Sequence, residues 1–288
     1  MKYILATDSF KGSLSSMEVE AEIAKVLTEK GADVVSLPMS DGGDGMLEAF
    51  TKALGGTIEP VYVHNQMMRR VDAAFGMTAD GTAIVEVAQA CGLELVKEDE
   101  RNPMRATTYG VGELLSRAVK RGCCNFIIGL GGSGTSDAGI GMLRALVDIF
   151  AKGKTFDDAM QTELGECRFT LACDVDNPLC GENGAAYVYA PQKGATPQMV
   201  EQLDRRAKLF AEKSALHYGY DRSCCPGAGA AGGLGYAFMQ YLGAEMRSGA
   251  DMLLSLCRFD DVAKDADMII TGEGHADRQT LMGKLPQK

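Results

Sequence analysis

The feature that most constrains this chain is a recurring order of segments, in which a short apolar run is followed by a loop rich in Gly and Asp and then by an amphipathic stretch. Apolar runs in this setting lie at residues 3–7, 33–37, 125–129, 169–175 and 267–271. Strands that alternate with helices favour an α/β fold with a largely parallel sheet. Ligands of such folds bind beyond the carboxyl ends of the strands, so the loops after these runs form the candidate site.

Helix signals separate these strand candidates. Ser15 and Glu18 form a capping-box pattern, which predicts a helix that ends before Gly31. Thr196 followed by Pro197 predicts a second helix that runs to about residue 218. These start and stop signals support the alternation of strands and helices.

The pattern changes after residue 70. The stretches 71–77 and 83–88 flank an Asp80-Gly81 pair, which predicts a β-hairpin. We interpret this hairpin as the start of a second structural unit. Farther along the chain, the Gly- and Ala-rich stretch 227–238 predicts a tightly packed helix.

Charge and composition exclude several classes of protein. The chain has 288 residues, a net charge of −10, 46% hydrophobic residues and 24% charged residues, as is typical of a globular protein. Nucleic acid and anionic membrane surfaces repel an acidic chain, and no apolar run approaches the length of a membrane span. The nine cysteines show neither zinc-ligand spacing nor a disulfide framework, so we predict reduced, mostly buried thiols in a cytoplasmic protein.

A glycine-rich loop follows the strand candidate at 125–129. Residues 129–134 match G-x-G-x-x-G, but residues 227–232 match the same expression, so the match alone has low specificity. A small-residue loop that leads into a helix offers backbone N–H groups and the positive end of the helix dipole to an anion. Asp137 would support a metal-bound phosphate there. The loop is therefore interpreted either as an anion-binding site or as a purely structural tight turn.

Charged side chains follow the first two strand candidates. Lys11 would hold an anion that Asp8 orients, although a capped turn with a solvated lysine explains the same residues. Asp41 and Asp44 lie among three glycines. That pattern suits metal or hydroxyl binding, and it equally suits a helix cap with a turn.

Two carboxylates lie at the end of the strand candidate at 169–175. Asp174 and Asp176 are two positions apart, so their side chains point to the same side of an extended backbone. Mg²⁺ is commonly held by one or two carboxylates together with substrate phosphates, and the alternative is an acidic surface turn before Pro178. Glycine loops and carboxylates of this kind favour magnesium-dependent phosphoryl transfer over a nucleotide-binding oxidoreductase.

Taken together, these segments resemble the motifs of the type I glycerate kinases. Residues 38–45, PMSDGGDG, are similar to P-x-A-D-G-G-E-G of that family, and residues 131–137, GGSGTSD, are similar to G-G-S-A-T-N-D. Residues 272–286 resemble G-E-G-R-I-D-S-Q-T-x-x-G-K-x-P. Further matching stretches are 8–14, 173–181, 191–195 and 227–235, so the resemblance runs from residue 1 to about residue 286.

The resemblance implies a fold and an activity. The fold has two α/β domains, one Rossmann-like and one flavodoxin-like, with one inserted in the other. We expect residues 1–70 with 267–288 to form the first domain and residues 71–266 to form the second. The family transfers the γ-phosphate of ATP to D-glycerate, so we expect ATP and Mg²⁺ as cofactors. The expected product is 2-phosphoglycerate, with 3-phosphoglycerate as the alternative, and a homodimer is one expected assembly.

The resemblance also suggests residue roles. Lys11 would neutralise a phosphate or the substrate carboxylate, and Asp8 or Asp41 would accept the hydroxyl proton. Asp174 and Asp176 would hold Mg²⁺, and Asp174 is also counted as catalytic. The residues expected to bind nucleotide or substrate are Ser9, Gly131, Gly132, Ser133, Gly134, Thr135, Lys193, Glu273, Asp277 and Gln279.

The chain departs from the family pattern at several positions. His275 and Arg278 replace Arg and Ser in the last motif, and Ala138 and Ala190 replace Gly. The family continues beyond the position of Lys288, so we expect the C-terminal part of the family fold to be missing and the first domain to be incomplete. The alternative function is therefore that of a truncated or inactive kinase homologue that only binds a ligand or regulates.

Overall fold

Two β-sheets organise residues 1–10 and 13–274, which are the residues that this computed structural model describes. The strands, in chain order, are β1 (Lys2–Thr7), β2 (Asp33–Ser36), β3 (Thr57–His64), β4 (Arg70–Met77), β5 (Thr82–Glu86), β6 (Asn125–Gly129), β7 (Arg168–Ala172), β8 (Glu245–Arg247) and β9 (Met268–Gly272). The smaller sheet has the order β2-β1-β9, and the larger sheet has the order β3-β4-β5-β6-β7-β8.

Helices connect most of the strands, which confirms the predicted α/β fold. They are α1 (Ser16–Glu29), α2 (Met46–Ala53), α3 (Ala88–Cys91), α4 (Tyr109–Lys120), α5 (Ile140–Phe150), α6 (Phe156–Ala159), α7 (Ala185–Tyr189), α8 (Pro197–Tyr218), α9 (Ala230–Tyr241), α10 (Gly249–Leu256) and α11 (Phe259–Ala263). The predicted capping box of α1 is present, because Ser15 and Glu18 each accept a hydrogen bond from the other's backbone N–H. Within residues 1–10 and 13–274, no helix combines the length and the apolar character that a membrane crossing requires.

Both pairings in the smaller sheet are parallel. β1 lies in the centre between β2 and β9, and Thr7 at its end is opposite Gly272. The strands of the larger sheet all fall between β2 and β9 in the sequence. Because the three strands run the same way, Asp8 and Glu273 follow their strands at the same edge, and Asp8 donates its N–H to Gly272 O.

The larger sheet is mixed. β3, β4 and β5 are antiparallel neighbours, and this confirms the predicted hairpin, in which Gly81 has a φ of 80°. β5, β6, β7 and β8 are parallel. The strand predicted over 169–175 ends at Ala172, because its neighbour β8 has only three residues and offers no further ladder partner. Nothing in the sequence predicted β8, since Glu245-Met246-Arg247 is not an apolar run.

The division of the chain into two domains stays a prediction. β3 lies before the expected boundary at residue 70 and pairs with β4 along its whole length, from Thr57 opposite Met77 to His64 opposite Arg70. Residues 1–70 therefore contribute strands to both sheets. A boundary between α2 and β3 fits the sheet pairing better than one at residue 70, because a hairpin cannot be divided between two cores.

Two apolar cores flank the sheets. In the larger core, Phe126 of β6 stacks on Phe169 of β7 with 4.9 Å between ring centroids. The second core joins Ile4 of β1, Phe50 of α2 and Ile84 of β5, all of them fully buried. Since this second core includes side chains from both sheets, it joins the central strand of the smaller sheet to the larger sheet.

The helix predicted over 227–238 is broken. Helix α9 begins at Ala230, and the next three residues, Ala231, Gly232 and Gly233, have φ values of 51°, 66° and 93°. A Cβ at Gly232 would overlap the carbonyl oxygen of Thr135. The prediction of one continuous helix was wrong because the backbone here follows the neighbouring glycine-rich loop instead of a helical axis.

The nine cysteines are free thiols. Cys91 and Cys123 are buried, whereas Cys124 and Cys224 are exposed. The expectation of mostly buried thiols was therefore wrong in part, since only two of the nine cysteines are buried.

Candidate functional site

A cavity of about 590 Å³ lies where the carboxyl ends of the parallel strands of the larger sheet meet the loop after β2. Its volume is within the usual range for small-molecule sites. We call residues 41–44 the acidic loop and residues 131–135 the glycine loop. Among residues 1–10 and 13–274, the charged side chains that line the cavity are Asp41, Asp44, Glu94, Asp174, Asp176 and Lys193.

The acidic loop reaches the cavity because Gly42 lets its backbone lie close to the end of β7. Gly42 has a φ of 96°, and a Cβ there would overlap Ala172 O at the end of β7. Gly42 O in turn accepts the N–H of Gly131 at 3.1 Å. Asp41 Oδ1 accepts the N–H of Gly43 at 3.1 Å, and this bond fixes the Asp41 carboxylate at the wall. The loop that follows the smaller sheet is thereby joined to the larger sheet.

The backbone N–H groups of the glycine loop fall into two sets. Those of Gly131, Gly134 and Thr135 donate to Gly42 O, Cys91 O and Ser133 Oγ. Those of Gly132 and Ser133 donate to no acceptor within the described ranges, and both residues line the cavity. Gly132 and Ser133 therefore offer the N–H groups that can meet an anion.

The N-terminus of α5 is already capped, contrary to the prediction for the glycine loop. Asp137 accepts hydrogen bonds from the N–H groups of Gly139 and Gly141 and from the N–H and hydroxyl of Thr108, at 2.8–3.1 Å. Burial raises the pKa of Asp137, and these hydrogen bonds oppose that rise. Asp137 is not among the residues that line the cavity. Its expected role beside a metal-bound phosphate was wrong, because the carboxylate closes the helix end instead.

Lys193 lines the cavity with a positively charged side chain that is almost completely buried. The side chain is only 2% exposed, and its Nζ donates to Thr135 O at 2.6 Å. Burial lowers the pKa of Lys193 to about 8, while the nearby Cys91 and Asp137 act in the opposite direction. The ammonium is therefore held against the glycine loop by a backbone carbonyl.

One side of the cavity is apolar. Val175 and Val188 line it with exposed fractions of 39% and 42%, although both are hydrophobic. Beside them, the hydroxyl of Tyr189 donates to Asn177 Oδ1 at 2.6 Å, which fixes the tyrosine ring. We call Val175, Val188 and Tyr189 the apolar wall.

The structure brings part of the predicted site together. The predicted residues that line the cavity are Asp41, Gly131, Gly132, Ser133, Asp174, Asp176 and Lys193. Gly134 and Thr135 are buried behind it. Asp8, Ser9 and Glu273 lie at the edge of the smaller sheet and are not among the described residues that line the cavity. Lys11, Asp277 and Gln279 lie outside the described residues. The roles assigned to all of these residues stay predictions.

Sequence reasoning did not select Glu94, Val188 or Tyr189 as site residues. Glu94 lines the cavity because the preceding segment pairs with the glycine loop, where Leu93 donates its N–H to Gly132 O. Val188 and Tyr189 lie on the short helix α7, which carries no strand-end signal. The signal that was available for α7 is its place directly before the P-Q-K-G stretch that was selected.

The chain is similar to known proteins of one family. The model of the glycerate kinase family matches residues 3–288. Glycerate 2-kinase of Escherichia coli K12 is 40% identical, with 99% of this chain and 80% of the relative covered. Glycerate kinase of Haemophilus influenzae is 41% identical, with 99% and 81% covered.

A solved structure supports the same relationship. A crystal structure of a protein assigned as glycerate kinase 2 in Salmonella typhimurium LT2 superposes with a TM-score of 0.83 at 38% identity. It covers 99% of this chain, and this chain covers 82% of it. The chain belongs to the glycerate kinase family of phosphotransferases, as its motifs predicted.

Proposed function

We propose that this chain transfers the terminal phosphoryl group of ATP to the 2-hydroxyl of D-glycerate and forms 2-phosphoglycerate. The observation that carries the proposal is a single cavity that combines two available backbone N–H groups, a buried lysine and several carboxylates. Phosphoryl transfer depends mainly on positioning and on charge stabilisation, and these groups supply both. The name of the E. coli relative, glycerate 2-kinase, favours the 2-hydroxyl over the 3-hydroxyl.

The phosphates of the nucleotide would lie against the glycine loop. The N–H groups of Gly132 and Ser133 would donate to phosphate oxygens, as N–H groups do in other glycine-rich phosphate sites. Lys193 would supply positive charge to the transferring group, since its ammonium is fixed at the same wall. Donors that are fixed before the reaction stabilise developing charge without a cost of reorganisation.

The donor chemistry of the cavity fits Mg²⁺. Among the residues that the structure describes, five acidic side chains and one lysine line a space that would receive polyphosphate and a carboxylate, and a bound cation would balance this charge. Asp174 and Asp176 would hold the ion, which neutralises charge on the phosphate oxygens when it is bound. No group of three or more His, Cys, Asp or Glu in the described ranges is arranged to hold a metal, so phosphate oxygens would complete the coordination.

Asp41 is the better placed of the two candidates for the proton acceptor. It lines the cavity, and the N–H of Gly43 occupies its Oδ1, which leaves Oδ2 for a substrate hydroxyl. Asp8 lies at the edge of the smaller sheet, outside the described cavity lining. We therefore assign the glycerate hydroxyl to the acidic loop and the nucleotide to the glycine loop.

The apolar wall would take the nucleoside. Val175 and Val188 are exposed to the cavity and Tyr189 presents a fixed ring, so a flat base would bury apolar surface there. The expected partners are thus a nucleotide and glycerate, while the cytoplasmic location and a homodimer stay predictions.

Release of ADP tests the proposed function. The chain is incubated with ATP, Mg²⁺ and D-glycerate, ADP is followed by a coupled assay, and the product is identified by ³¹P NMR. We expect glycerate-dependent ADP release with 2-phosphoglycerate as the product. Formation of 3-phosphoglycerate would contradict the regiochemistry. Tight binding of glycerate without turnover would instead support the inactive, ligand-binding homologue.

A further inference from the structure

Glu86 is a buried carboxyl group at the end of β5 that the proposed reaction does not use. It is 5% exposed, and its Oε2 accepts the N–H of Leu47 at 3.1 Å. It is also hydrogen-bonded to the backbone of Gly45. Both partners belong to the start of α2, whose N-cap residue Gly45 has no side chain to cap the helix. Glu86 therefore caps α2 from another sheet.

Glu86 holds the start of α2, which lies next to the acidic loop and near the glycine loop. The acidic loop ends one residue before Gly45, so the position of α2 sets the position of that loop. In the sheet, Glu86 is opposite Gly129, which leads directly into the glycine loop. The two loops meet where Gly131 donates its N–H to Gly42 O. Glu86 thus lies behind the junction of the acidic loop and the glycine loop.

The charge of Glu86 is costly in this position. Burial raises its pKa to about 7, and the carboxylates of Asp44 and Glu48 add to that rise. The hydrogen bonds from Leu47 and Gly45 act in the opposite direction. When an acid has a higher pKa in the folded state than in the unfolded state, the folded protein loses stability as the pH rises between the two pKa values. The charged form of Glu86 therefore lowers the stability of the folded protein at neutral and alkaline pH.

A glutamine would fill the same space without this cost, but it would cap the helix less completely. A carboxylate has two acceptor oxygens, whereas the amide of glutamine has one oxygen and an NH₂ donor. The NH₂ group would face the N–H groups at the start of α2, and two donors cannot form a hydrogen bond with each other. The helix end also favours negative charge.

We propose that Glu86 is a positioning residue for phosphoryl transfer, which sets the acidic loop against the glycine loop through the first turn of α2. This inference rests on the proposed function, because it gives the acidic loop its role. Glu86 itself does not line the cavity as described, so it acts through Asp41 and not on the substrate. Misplacement of a reacting group by about 1 Å lowers rates by about 10²-fold.

The test compares Glu86→Gln and Glu86→Asp with a matched control. Glu113 is also a glutamate that accepts a backbone N–H from another element, that of His64 at 2.7 Å, and it does not line the described cavity. We expect both Glu86 variants to lower kcat by about 10–10²-fold, because aspartate is one methylene too short to reach α2. Glu113→Gln should leave kcat within about twofold of the wild type.

Two further measurements distinguish a positioning role of Glu86 from a purely structural role. The melting temperature of Glu86→Gln at pH 8 should equal or exceed that of the wild type, and its advantage should shrink towards pH 5, where Glu86 is protonated. Hydrogen exchange should accelerate together in residues 41–47 and 131–133 of Glu86→Gln, and not in Glu113→Gln. A lowered melting temperature with faster exchange throughout would overturn the inference, because Glu86 would then be structural.

Failure of the inference differs from failure of the proposed function. Unchanged kcat and unchanged exchange in both Glu86 variants would overturn the inference while the kinase assignment stands. If the wild type lacks glycerate-dependent turnover, the proposed function fails. Coupled exchange of the two loops in Glu86→Gln would then still support a positioning role for whatever ligand the cavity takes.

Discussion

Replacement of Lys193 by methionine separates its cost to stability from its value to activity. The wild-type folded protein buries an ammonium with a pKa of about 8 against an ordinary value of 10.5. This depression corresponds to a cost of about 3 kcal/mol while the lysine is charged. Methionine removes that cost but leaves Thr135 O without its donor, which costs about 1–3 kcal/mol. The two effects nearly cancel at pH 7.

The sign of the pH dependence follows from this depression. A lysine with a lowered pKa in the folded state is destabilising at low pH, and the cost disappears as the pH rises from about 8 to 10.5. The stability of Lys193→Met relative to the wild type should therefore fall by about 2.5 kcal/mol between pH 7 and pH 10. Urea denaturation at both pH values measures the difference.

At pH 7, where Lys193→Met changes stability little, we expect the substitution to lower activity strongly. Lys193 is the only cationic side chain among the described residues that line the cavity, so its removal takes away the positive charge that this side chain would supply to the transferred group. We expect kcat to fall by about 10²–10³-fold, measured by ADP release. The exposed Lys120→Met serves as the control and should keep wild-type kcat. A Lys193→Met enzyme within a few fold of wild-type kcat would show that Lys193 does not stabilise the transferred group.

Further predictions concern the same cavity. Asp174→Asn should lower kcat by orders of magnitude with an unchanged circular dichroism spectrum, and near-normal turnover would remove Asp174 from the site. Gly42→Ala should destabilise the protein by about 1–3 kcal/mol in urea denaturation, because its φ is 96° and the new Cβ would overlap Ala172 O. Wild-type kcat/KM should fall as the pH rises through about 8, since Lys193 loses its charge; a flat profile from pH 7 to 9 would contradict this. Val188→Asp should raise the KM for ATP with little effect on that for glycerate, whereas the same change at the neighbouring exposed Tyr187 should affect neither.

Local sequence patterns were sufficient to predict most of the fold. The capping box at Ser15 and the hairpin at Gly81 depend on residues close together in the chain, and both are present. β8 was missed because its three residues become a strand only through pairing with β7. The break in α9 was missed because it arises from contact with Thr135, about a hundred positions earlier in the sequence.

The site was predictable only where it follows strand ends. Asp41, Ser133 and Asp174 each follow a strand and line the cavity. Asp137 looked equivalent in sequence, but its four hydrogen bonds to backbone and side-chain donors engage it in capping α5. The proposed positioning role of Glu86 could not be predicted from sequence, because its partner Leu47 in α2 is some forty positions away in the chain.

The proposed function requires one cavity to hold both the phosphoryl donor and glycerate. A crystal structure of this chain with D-glycerate, Mg²⁺ and a non-hydrolysable ATP analogue tests it most directly. We expect phosphate density at the N–H groups of Gly132 and Ser133 and a glycerate hydroxyl at Asp41. Ligand density on another surface, with this cavity left to solvent, would contradict the account.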